Sequence, residues 1–192
     1  MSVNRRCFAA ACALLAGCGV GDAPSAPEGT STTAPVEVPA PQLDDATYLY
    51  RLGLMRGHLF VGNALFEHGE TMAAGTHSKH PTDELYAPMA TEFAARGSAG
   101  FAAQLDAHAA AVAAGDEDEV AQRYTELLAT IADNEAVVDV SPRLAAEVIV
   151  RLVAEAAEEY AIGIVDGKPA NAHEYQDAYG FTQVAIQWAR RA

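Results

Sequence analysis

From about residue 44 onward, apolar residues recur every three or four positions, the repeat of a helix with one side against a core. Glycines and prolines punctuate this pattern. Asp44 or Asp45 can cap a first helix that runs to about His68 and stops at Gly69. Glu70 to Lys79 reads as a short second helix. Pro81 suits the first turn of a third, which continues to Arg96 and can kink at Pro88. Ser98 to Ala114 makes a fourth, closed by Gly115, and Asp116 to about Ala136 a fifth with acidic residues at its positive dipole end. Ser141-Pro142 is an N-cap and N1 pair for a sixth helix reaching Val165, ahead of Asp166-Gly167. A last helix runs from about Ala170 to Arg190. No β-branched alternation and no tandem repeat interrupts this order. The pattern predicts an all-α fold, a single compact bundle of about six to seven helices.

Residues 1–43 read differently. Arg5 and Arg6 precede an apolar run, Cys7 to Leu14, that is too short to span a bilayer. Leu15-Ala16-Gly17-Cys18 follows and resembles the lipobox of bacterial lipoprotein precursors. That resemblance implies that residues 1–17 are a signal peptide and that Cys18 is lipidated, holding the protein to a lipid membrane. Gly19 stands where an Asp would retain such a protein at the inner membrane, so the expected location is the outer membrane, facing the periplasm. Residues 18–43 hold five of the nine prolines among Ser, Thr, Ala and Gly, the composition of a disordered tether. Residues 44–192 are then the bundle domain.

Processing of this kind changes the chemistry on offer. Cys7 and Cys12 would leave and Cys18 would carry lipid, so disulfides, Cys-based zinc sites and a Cys nucleophile are excluded. The chain has 12 basic and 26 acidic residues, a net charge of −14; without Arg5 and Arg6 it is 10 against 26, or −16. Such a surface repels nucleic acid, which is excluded as a partner, and favours cations.

Three helices carry polar residues where hydrocarbon is expected. On the first, His58 falls in the apolar face between Leu54, Val61 and Leu65 on one side and Met55, Leu59 and Phe66 on the other, and Gly62 leaves room beside it. On the sixth, Glu155 and Glu159 enter the arc of Leu144, Val148, Leu152 and Ile162. On the last, Tyr175, Ala178, Tyr179, Thr182, Ala185 and Ile186 form an apolar sector into whose wider arc Glu174 and Asp177 point, with His173 at its border. Between these helices lie His77-x-x-His80 and, one turn on, Glu84. A buried carboxylate must be paired, hydrogen-bonded or metal-bound.

Imidazole with carboxylate suits Fe, Cu, Zn or Mn. The predicted site for such a transition metal ion is therefore His58, His77, His80, Glu84, Glu155, Glu159, Glu174 and Asp177. Other readings stand beside it. Glu155 and Glu159 can pair with Arg51, Arg56 or Arg151, and Glu84, Glu174 and Asp177 can serve helix dipoles. His68 and His108 read as helix-surface residues. On these readings the chain is a non-metal scaffold or adaptor lipoprotein with structural buried charges and a protein partner in the envelope. Little supports an enzyme: there is no nucleophile elbow, Gly-rich phosphate loop or H-E-x-x-H.

The stretch Arg56-Gly57-His58-Leu59, the helical domain and the export signal resemble imelysin-like periplasmic proteins. Those proteins are helical, carry a metal-associated G-x-H-x-x-E motif, and several belong to iron uptake. Here Gly57 and His58 adjoin and Val61 lies near where the Glu is wanted, so the motif is not matched and no site residue is carried over. The resemblance implies a metal-associated helical protein.

Overall fold

The computed structural model describes residues 41–191. The predicted signal peptide, Cys18 and the tether up to residue 40 lie outside the described residues. Gln42 and Leu43, assigned to the tether, dock on the bundle: their backbone N–H groups donate to Glu92 Oε1 at 2.7 and 3.2 Å, and Arg96 donates to the Leu43 carbonyl at 2.7 Å.

The fold is organised around α1 (Asp45–Glu67), capped by Asp44, whose carboxylate accepts from the Thr47 N–H at 2.7 Å. In chain order follow α2 (Thr71–His80), α3 (Ala90–Ala95), α4 (Ala102–Ala114), α5 (Glu117–Glu135), α6 (Pro142–Gly163) and α7 (Ala172–Arg191). The consecutive buried residues Leu52, Gly53, Leu54 and Met55, then Gly57, His58 and Leu59, reach around the whole helix. An α-helix buried on all sides must be enclosed by others. α2, α5, α6 and α7 enclose α1, and α4 packs against α2 and α5. The main core holds Tyr48, Leu52, Met55, Leu59, Leu127, Ile131, Leu152 and Trp188, and a smaller one holds Phe66, Ala74, Val112 and Val120.

The all-α reading holds, with three local differences. The predicted second and third helices form one bent rod. α2 passes without a break into a π turn, Pro81–Tyr86, then a 3-10 turn, Ala87–Met89, around Pro88, and α3. Pro81 lacks an N–H and cannot make the regular bond, and the widened turn carries the chain past it. α4 begins at Ala102 rather than Ser98. Phe101 is drawn into the core beside Tyr86 and Phe93, and its N–H donates to the Tyr86 hydroxyl at 2.9 Å. Finally, α6 stops at Gly163, and β1 (Ile164–Val165) pairs antiparallel with β2 (Lys168–Pro169). Asp166 and Gly167, at φ 52° and 71°, make the two-residue turn, and Asp-Gly is the pair such a left-handed turn favours.

His108 is also not where the wheel placed it. It is fully buried on the α4 face that carries Leu105, Ala111 and Val112, with its ring 5.8 Å from that of Tyr124. Neither ring nitrogen has a hydrogen-bond partner, and burial pushes its pKa down to about 4, so it is neutral at pH 7.

Candidate metal centre

Glycines bring the site together. A Cβ on Gly57 would strike the Phe181 ring, and one on Gly180 would strike the Gly57 carbonyl. α1 and α7 therefore cross with their backbones nearly touching, a geometry open only to glycine. On the other side, a Cβ on Gly62 would meet Ser78 Oγ at 3.0 Å and His77 Cβ at 3.4 Å, so α2 also rides close to α1. His58 lies between these two crossings. Its neighbours are thus set by the close approaches: Asp177 one turn before Phe181 on α7, and His77 on α2.

Five side chains meet there. His58 Nδ1 is 2.6 Å and His77 Nδ1 3.1 Å from Asp177 Oδ1, while His173 Nε2 is 3.3 Å from Asp177 Oδ2. His173 Nε2 also lies 3.3 Å from His80 Nδ1. The His77 and His173 rings stack at 4.2 Å, and the His58 ring meets that of Phe181 edge-on at 5.1 Å. His58, His77 and Asp177 are buried, whereas His80 and His173 reach the surface and form the mouth. Two groups of three ligand atoms result, His58, His80 and Asp177, and His77, His173 and Asp177, each within 4.8 Å of one another. Asp177 belongs to both.

The donor set fits a transition metal. Three ligands about 2.1 Å from one ion stand roughly 3.4 Å apart in a tetrahedral arrangement, so each group needs only small side-chain rotations. His58 Nδ1, His77 Nδ1 and Asp177 Oδ1 are close, yet none makes a well-directed hydrogen bond. His77 Nε2 lies 2.9 Å from Gln176 Oε1. With Gln176 in that orientation, a neutral His77 donates from Nε2 and turns a bare Nδ1 lone pair toward a carboxylate oxygen. Two lone pairs at that distance repel unless a proton or a cation lies between them. Burial by itself would raise the Asp177 pKa, but the His58 and His77 imidazoles outweigh it and hold the carboxyl well below the usual range. For His173, burial first and then His77 lower the pKa, which favours the neutral, ligating form.

The remaining predicted residues, Glu84, Glu155, Glu159 and Glu174, belong to neither group of ligand atoms. Glu84 is on the rim, 3.4 Å from His80 Nε2 and largely exposed. Glu155 accepts from the Tyr50 hydroxyl at 2.5 Å. Burial, with the neighbouring carboxylates of Glu174, Asp177 and Glu155, pushes the Glu159 pKa up to about 8, so Glu159 is largely protonated at pH 7. The arginine pairings expected for Glu155 and Glu159 do not form: Arg56 pairs with Glu135 at 2.9 Å, and Arg151 with Glu147 at 3.0 Å. His173, at the border of the α7 apolar sector on the helical wheel, belongs to the centre. Its spacing of four residues before Asp177, one turn on the same face, was the available signal. Of the apolar sector of α7, Ala178 and Ala185 are buried together with Phe181, Val184 and Trp188, whereas Tyr175, Tyr179 and Ile186 are exposed.

Residues 138–190, which span α6 and α7, match the family model of an iron permease-associated 4-helix bundle domain. The matching stretch supplies His173 and Asp177 to the centre. No curated protein and no solved structure matches the chain.

Proposed function

We propose that this protein is a membrane-anchored helical metal binder of the cell envelope, taking up a transition-metal ion, with iron favoured, on His58, His77, His80, His173 and Asp177. One observation carries the proposal: four imidazoles and one carboxylate from α1, α2 and α7 form two adjoining groups of three ligand atoms that share the buried Asp177. The likeness of residues 138–190 to an iron permease-associated domain supports iron over the other metals that such ligands accept. The Leu15-Cys18 lipobox supports lipid anchoring, and the net charge of −14 supports attraction of cations. Among the described residues no helix is long and apolar enough to cross a membrane. The metal is cargo on this reading, with His80 and His173 receiving it at the mouth and Asp177 holding it inside.

The test is calorimetric titration of the purified protein with Fe(II) under nitrogen, and with Zn(II), Cu(II) and Mn(II), each paired with a thermal melt. Saturable binding of Fe(II) with a raised melting temperature is expected. Failure of every metal to bind or to shift the melt would leave the buried charges as structural and the chain as a tethered scaffold.

A further inference from the structure

The faces of α6 and α7 that point away from α1 carry an unexpected order. On α6, Ala146, Val150, Val153, Ala157 and Tyr160 are all exposed and spaced alternately by four and three residues. On α7, Ala172, Tyr175, Tyr179, Thr182, Ile186 and Ala189 are exposed with the same alternation. This spacing is the seam by which helices pack in bundles, whereas a solvated face is ordinarily polar. The residues are far from grazing water: Val150 is 67 % and Tyr179 52 % exposed. Val153, Ala157 and Tyr160 of one helix and Tyr175, Tyr179 and Thr182 of the other line one groove of about 490 Å³, so the two seams form a single surface.

The charges beside that surface are sorted by end. Arg143 and Arg190 lie exposed where α6 begins and α7 finishes, while at that end Arg191 is engaged by Glu135 and Glu147 is neutralised by Arg151. The exposed Glu158 lies toward the opposite end, where Asp166 and Lys168 in the connecting turn offset each other; Glu155 and Glu174 are half-buried at that end. We propose that a second copy of this chain docks on this face, antiparallel about a two-fold axis, to complete a four-helix layer from two α6–α7 hairpins. In a two-fold contact the same patch serves both partners. The antiparallel arrangement seats each basic end on the other copy's acidic end, while the parallel one would stack like charges. The long-range repulsion of two acidic chains is largely screened beyond about 8 Å at physiological salt, and the end-to-end pairs act within that reach. A face of two 20-residue helices, about 30 Å by 20 Å, buries about 600 Å² per copy, near the lower limit for stable association, so micromolar affinity is expected. On α7 this seam lies about half a turn from Asp177, so the dimer does not depend on the metal reading.

Sedimentation equilibrium tests it on full-length protein carrying Cys18→Ser, which excludes association through lipid. The parent protein should pass from monomer to dimer as concentration rises to ~100 μM, a range set by the expected affinity. Val153→Glu and Tyr179→Glu, both at exposed positions, should be monomeric throughout while keeping the parent circular dichroism. Arg143→Glu should weaken the dimer about tenfold, and adding Glu158→Arg should restore it. A parent monomer at ~100 μM, or a dimer indifferent to Val153→Glu, overturns the proposal. An Arg143→Glu protein that associates as tightly as the parent overturns the antiparallel assignment.

Discussion

Asp177→Asn keeps the size of the side chain and removes its charge, and Asp177 belongs to both groups of ligand atoms. Loss of a residue that merely orients a metal ligand costs about 10–100-fold in affinity. Loss of the one carboxylate common to both groups should cost at least the upper end of that range. At a metal concentration about 1,000 times the parent Kd, binding stabilises the fold by about 4.1 kcal/mol; with a 100-fold weaker site the figure falls to about 1.4 kcal/mol. For a domain of about 150 residues, 1 kcal/mol moves the melting temperature by about 2–4 °C. The metal-induced shift should then fall from about 8–16 °C to about 3–6 °C. The assay is thermal denaturation followed by circular dichroism, with and without metal, for both proteins. The metal-free melts are the control, and they carry a sign of their own. Because the Asp177 carboxyl is held below its ordinary range, its stabilising effect is present above the unfolded carboxylate pKa and is lost as pH falls below it. Metal-free Asp177→Asn should therefore melt lower than the parent at pH 7, and the gap should narrow in acid. A full-sized metal shift in the variant would refute the reasoning, because it would place the ion on groups that do not include Asp177.

Gly180→Ala should destabilise the protein by about 3 kcal/mol, since the added methyl meets the fixed Gly57 carbonyl and neither helix can yield locally. Gly75→Ala on α2, where nothing lies within 4 Å, should stabilise it by about 0.5–1 kcal/mol; urea midpoints compare the two, and equal effects would deny the close crossing. For His108, the unfolded ring binds a proton near pH 6.5 and the folded ring only near 4, so stability is full above pH 6.5 and is lost as pH falls toward 4. The loss can reach about 3 kcal/mol. His108→Leu should flatten the fall in stability between those pH values, and an unchanged pH profile in the variant would show that the ring has access to water.

How much of this was open to sequence reading follows the range of the forces involved. Caps and helix stops depend on neighbours within a few residues, so the Ser141-Pro142 start and the stop at Gly115 are legible in the sequence, and the first cap is narrowed to Asp44 or Asp45, of which Asp44 is the cap. The Asp166-Gly167 hairpin is equally local, but its two-residue strands are too short to show an alternating pattern between the helical stretches that flank them. Polar residues on apolar faces mark His58 and Asp177 as anomalous, and only their spacing marks His77 and His80.

What the chain's order of residues determined, then, is a set of helices, their ends, and a short roster of candidate imidazoles and acids. It did not determine who meets whom. That was decided in three dimensions, by glycine contacts between α1, α2 and α7 that let backbones touch and carried His173 in with Asp177. It was also decided by the rotation of each helix about its own axis, which buried His108 and turned Tyr175 and Tyr179 outward. The physical reason is that a helical repeat constrains angles within one helix, while the depth and direction of burial depend on partners that are distant along the chain.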